Sequence, residues 1–194
     1  MKNKKGNMFI YAGLVMIAAA GIFAGYNFYE SSKAAKSAAD VSQQLHIPET
    51  VVEDVPLYVS YPEMEMPTET VDGHRYIGRL EIPVLNLELP VMEEWSYDNF
   101  KIAPCRYSGT AYLNNFILAA HNYRYHFGTL NNLSEGDKMS FTDMDGNVFE
   151  YEVILKEVLE PDAIEDLLAG QWDLTLFTCV GNGSHRMVVR CKVL

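Results

Sequence analysis

The chain has 194 residues, 48% hydrophobic and 21% charged, enough apolar material for one ordinary folded domain and too little length for two large ones. Its formal net charge of -11 argues against a general nucleic-acid binder, because a phosphate-binding surface has to be basic. Three cysteines are too few, and odd in number, for a disulfide framework, so each needs its own explanation.

Residues 6–29 carry no charged side chain, and residues 8–28 are almost wholly apolar. About 20 such residues in a helix cross a hydrocarbon core of roughly 30 Å. Lys2, Lys4 and Lys5 precede the run and Glu30 follows it. That asymmetry predicts a single span with the N-terminus cytoplasmic and the rest of the chain outside the cell. Tyr11, Tyr26 and Tyr29 lie near its ends, where amphipathic rings favour the interface. A cleaved signal peptide is the competing reading, but the run exceeds the usual apolar region of about 7–15 residues. An uncleaved anchor is therefore expected.

Residues 30–40 (ESSKAAKSAAD) read as a short, polar, Ala-rich helix or stalk. Residues 41–70 contain Pro48, Pro56, Pro62 and Pro67 among six acids, which predicts an extended spacer. Being acidic, such a spacer could lie as a strap across Arg124 or Arg186 in the domain that follows. The expected organisation is a cytoplasmic tip and transmembrane anchor over 1–29, an extracellular acidic stalk over 30–70 and a folded domain over 71–194.

From residue 71 short apolar runs alternate with turn residues. Candidate strands are 76–82, 87–91, 115–120, 138–141, 148–159, 174–178 and 187–193, with Asp145-Gly146 as a hairpin signal between two of them. The segment 162–168 (DAIEDLL), entered after Pro161, is the one convincing short helix. Many short strands and little helix predict a mostly β domain, a closed or nearly closed barrel.

Cys179 ends one strand and Arg186 opens the next. In an antiparallel hairpin they face each other with Cβ atoms about 4.5–5.5 Å apart. A guanidinium that close favours thiolate, or holds an oxyanion. Cys191 falls in an apolar row of the last strand and reads as core, while Cys105 lies in a predicted loop. His121 also ends a strand and is a candidate proton carrier. His46, His74, His126 and His185 read as surface or hydrogen-bonded structural residues. No zinc spacing is present, and the acidic runs 49–69 and 143–145 read as a solvated linker and a turn rather than a calcium site. No cofactor is expected.

Residues 174–179 (LTLFTC) resemble the sortase signature T-L-x-T-C, matched in full from Thr175 to Cys179. The segment 185–190 (HRMVVR) is similar to that family's arginine strand. The run 115–121 (NFILAAH), followed by 126–130 (HFGTL), resembles its A-G-H and F-x-x-L segments, with Ala120 where Gly is usual. Residues 76–83 (YIGRLEIP) are similar to the strand that opens the sortase barrel.

The resemblance covers roughly 75–194 and implies an eight-stranded sortase-type β-barrel with short helices, behind an N-terminal transmembrane helix. It implies a cysteine transpeptidase on the outer face of a Gram-positive membrane, cutting an L-P-x-T-G-like sorting signal between Thr and Gly. Cys179 would form the thioacyl enzyme, His121 would move the protons, Arg186 would hold the oxyanion, and Thr178 would contact the substrate. Arg190 is the competing arginine. Its partners would be surface proteins bearing the signal and an amine on a peptidoglycan precursor or a pilin. Without a D-P-W or D-P-F lid or a long insert before residue 173, a class D-like or unclassified sortase fits best. A membrane-tethered cysteine protease, ending each cycle with water, shares the same thioacyl step.

Overall fold

The computed structural model describes residues 4–48 and 55–194, so Lys2 and the spacer acids Glu49, Glu53 and Asp54 lie outside the described residues. Helix α1 (Lys4–Gln44) opens the chain. The chain divides into two compact units, Met1–Lys33 and Ala34–Leu194. Within the first, the apolar side chains from Met8 to Tyr29 are exposed, on a helix long and apolar enough to cross a membrane.

The second unit is built on strands β1 (Glu69–Val71), β2 (His74–Ile82), β3 (Leu87–Met92), β4 (Cys105–Ser108), β5 (Phe116–Ala119), β6 (Lys138–Asp143), β7 (Val148–Leu159), β8 (Leu174–Val180) and β9 (His185–Val193). Their order is β1-β2-β3-β4-β5-β8-β9-β7-β6, and β2 also pairs with β6. That last pairing closes β2 to β9 into an eight-stranded barrel, with β1 as a short hairpin on its edge. Closure needs Gly78, at φ 153°: a Cβ there would meet the carbonyl oxygen of Thr142 at 2.1 Å.

Side-chain alternation assigns the two faces. Ile77, Leu80, Leu118, Phe141, Tyr151, Leu176, Val189 and Cys191 fill the interior. Ile117, Ala119, Phe177 and Val188 point outward and form a second apolar patch under Leu167. Cys105, expected in a loop, lies in β4, paired with Ala119 and buried beside Tyr76 and Met92. Pro104 and the polar residues after Cys105 hide so short a strand from a pattern reading.

Residues 30–40, read as a helix or stalk, are helical, and among the described residues of 41–70, read as an extended spacer, several pack on the barrel. Ala34, Ala38, Val41 and Leu45 fall at helical spacing, and the first three are buried against the barrel. Beyond them comes the four-residue helix α2 (Leu57–Ser60). There Tyr58 stacks on Tyr112 at 4.6 Å between centroids, and Met66 joins the interior core. His46 donates its backbone N–H to Glu69 Oε2, tying the two ends of this segment together.

The connection from β7 to β8 contains helix α3 (Ile164–Leu167), within the predicted 162–168. Arg190, only 1% exposed, fastens it. Its guanidinium donates to the carbonyls of Asp166 (2.6 Å) and Leu167 (2.8 Å), to Thr175 Oγ1 (3.1 Å) and to Glu157 Oε1 (2.8 Å). Arg190 is thus committed to holding a loop, and Arg186 is not. Replacing Arg190 strands those acceptors, so Arg190→Met is expected to lose about 3 kcal/mol of stability. Arg186→Gln is expected to lose less than about 1 kcal/mol. Thermal unfolding of the two variants, followed by near-ultraviolet circular dichroism, checks the contrast.

Candidate active site

The site grows from one pairing. Strands β5 and β8 are parallel neighbours in the register Phe116↔Leu174 to Ala119↔Phe177. Two residues further along each chain stand His121 and Cys179, and the N–H of Ala120 still donates to the carbonyl of Phe177 at 3.3 Å. On the other side of β8, Cys179 pairs with Arg186 of β9, and Arg186 pairs with Leu159 of β7. His121, Cys179 and Arg186 therefore occupy one row across three adjacent chains, with strands about 4.8 Å apart. By alternation all three share the outer face with Phe177 and Val188.

Thr178 takes the opposite parity. Its hydroxyl, buried, donates to the carbonyl of Ala120 at 2.8 Å. It lines the cleft, but its hydrogen bond locks β8 to the chain that carries His121. The turn after His121 is equally constrained. The N–H groups of His126 and Gly128 both donate to the Tyr123 carbonyl, and that of Phe127 donates to the His121 carbonyl. A Cβ on Gly128 would meet the Asn122 oxygen at 2.4 Å, so the tight turn needs glycine there.

The row opens into a cleft of about 220 Å³. One wall is the β7–β8 connection, with Pro161, Ala163, Ile164 and Leu167. The other is aromatic: Trp95, Tyr97 and Phe100 from the β3–β4 connection, and Tyr107 from β4. Phe100 meets the His121 ring edge-on at 5.9 Å, Trp95 leans on Phe100 and Tyr107 at 5.8 Å each, and Tyr107 meets Phe177 at 5.1 Å. None of these four is among the expected site residues, and their sequence signal is four aromatics within 13 residues. No residue of 34–48 or 55–70 lines the cleft.

Burial, and then the charge of Lys101, holds the His121 imidazole below its usual range, so it is neutral at neutral pH and able to accept a proton. Arg186 donates through Nη1 to the carbonyls of Gly183 (3.1 Å) and His185 (3.2 Å), which sets its direction. Asp143, one of the acids considered for calcium, is buried and accepts from Tyr112 Oη, the N–H groups of Asp145 and Asn147, and Asn147 Nδ2.

All three cysteines are free. Burial pushes the Cys105 and Cys191 thiols up to about 12, while Cys179 is half-exposed at the cleft. Iodoacetamide is expected to add once to the native protein, at Cys179, and three times after denaturation, as counted by intact mass.

His126 is fully buried, its ring against the backbone of Ala34 and Ile102, without a geometrically complete hydrogen bond at either nitrogen. Burial pulls it down to about 4, and His121 adds to the shift. The unfolded value is about 6.5, so between these two the unfolded chain binds the extra proton. Stability is complete above about pH 6.5 and falls by about 3 kcal/mol as pH drops toward 4. His126→Phe is expected to remove that part of the slope in denaturant titrations at stepped pH.

A family model described as the sortase domain matches residues 80–194. Sortase A of Bacillus anthracis is 27% identical over 200 residues, spanning 95% of this chain and 94% of that protein. The solved complex of Streptococcus agalactiae sortase C1 with MTSET is 26% identical, with TM-score 0.53, over 61% of this chain and 69% of that one. A Clostridium perfringens sortase D5 transpeptidase is similar in fold at 21% identity and TM-score 0.58, over 82% of this chain and 96% of its own.

Proposed function

The chain belongs to the sortase family of cysteine transpeptidases, and on that premise we propose that it is a membrane-anchored enzyme joining proteins with an L-P-x-T-G-like sorting signal to an amine. The observation that supports this most is the single row of His121, Cys179 and Arg186 at the floor of a largely apolar cleft. The thiol of Cys179 passes its proton to neutral His121 and attacks the Thr carbonyl. Arg186 faces the resulting oxyanion. Collapse breaks the Thr–Gly bond, and the departing glycine amine takes the proton from His121. An incoming amine then attacks the thioester and gives its proton to His121, and the Cys179 thiolate leaves and is reprotonated.

Thr178 supports the site by fixing the neighbouring chain through Ala120 and by lining the cleft. In this reading the apolar helix spans the membrane once, with the N-terminus cytoplasmic and the barrel outside. The amine belongs to a peptidoglycan precursor or a pilin, and the enzyme is class D-like or unclassified.

Full-length protein in detergent micelles, incubated with sorting-signal peptides and triglycine, is expected to give a thioacyl adduct on Cys179 and a glycine-ligated product by mass spectrometry. Cys179→Ala abolishes both. His121→Ala and Arg186→Ala are expected to lower kcat/KM by at least about a hundredfold. Release to water alone, despite abundant amine, identifies a protease instead.

A further inference from the structure

We infer that Glu160 makes the enzyme select sorting signals with a cationic side chain at the variable position before the threonine. The inference rests on the reaction proposed above and concerns how the same cleft reads its substrate.

Among the described residues lining the cleft, Glu160 carries the sole carboxylate. Its place follows from register. Leu159 pairs with Arg186, which pairs with Cys179, so Glu160 stands one residue, about 3.3 Å, beyond the row that carries the nucleophile. The surrounding wall of Leu159, Pro161, Ala163 and Ile164 is apolar, and it suits the leucine and proline of the signal. With the threonine carbonyl at Cys179, the one remaining side chain between proline and threonine is the nearest able to carry a charge to Glu160.

The carboxylate is free to change partners. It pairs with His185 Nε2 across 3.5 Å, and the Glu160 side chain is 69% exposed. Among the described residues Arg186 forms no ion pair with it, and Nη1 of that residue donates instead to the carbonyls of Gly183 and His185. The connection from Glu160 to Asp173 contains no lysine or arginine. When a peptide fills the cleft and displaces water, a carboxylate without a cation loses solvation. A lysine on the peptide compensates that loss, and a glutamate adds like-charge repulsion.

The test uses full-length enzyme in detergent with three peptides, Leu-Pro-x-Thr-Gly with x as Lys, Gln or Glu, competing in one tube for triglycine. For the natural enzyme the ratio of kcat/KM for Lys over Glu is expected to be about tenfold, falling as salt is raised. Glu160→Gln is expected to bring the ratio within about twofold, and Glu160→Lys to reverse it. A variant that still acylates Cys179 is folded, so the ratio is read from active protein. Equal acylation by all three peptides, or a ratio unchanged in both variants, overturns the selection and leaves the transpeptidase reading standing. Absence of any Cys179 adduct in the natural enzyme overturns both.

Discussion

The parallel register between β5 and β8 is the constraint on which the rest of the site depends. It brings two chain positions 58 residues apart, Ala120 and Thr178, into hydrogen-bond contact, and with them His121 and Cys179 to the same level. A one-residue slip would turn one of the two side chains to the barrel interior, because faces alternate with period two. The Thr178–Ala120 hydrogen bond ties the two chains together one residue before His121 and Cys179. Arg186 then needs no separate positioning device, since the antiparallel hairpin of β8 and β9 carries it into the row.

A second layer of structure keeps the walls of the cleft in place without touching its chemistry. Arg190 anchors one wall from beneath through the backbone of Asp166 and Leu167. The aromatic residues of the β3–β4 connection brace the other against Tyr107 and Phe177. Both depend on the outward-facing apolar patch of β5, β8 and β9, a small second core outside the barrel. The division of labour between the two arginines of β9 follows from it: the one over the patch is buried and structural, the one at its edge is open.

Much of this was legible in the residues. Strand β7 was read at its observed limits, and β2, β3, β6, β8 and β9 to within a few residues, because each carries a clear apolar alternation or run. Cys179, His121 and Arg186 stood out because each reactive side chain ends or opens such a run. Local pattern supplied the two hairpins, β6 with β7 and β8 with β9, but not the long-range partners: parallel pairing of β5 with β8 spans a long loop and leaves no short-range mark. The packed stretch of α1 escaped for another reason. Ala34 and Ala38 are small and set in a polar, Ala-rich sequence that reads as a helix or stalk, while Val41 and Leu45 fall in the stretch that reads as an extended spacer, so the 34-38-41-45 stripe is split between two readings. His126 was read as a surface or hydrogen-bonded residue, but its burial comes from Ala34 and Ile102, which are distant in sequence.

The placement of the three thiols has a consequence when the protein meets an oxidant. Cys105 and Cys191 are sealed in separate apolar clusters, and neither is available to meet the thiol at the cleft. If peroxide converts Cys179 to a sulfenic acid, the fold offers no resolving cysteine to capture it as a disulfide. Recovery then requires a thiol from outside the molecule, and without one the oxidation runs on to the irreversible acids. The burial that keeps two cysteines inert thus leaves the third chemically alone.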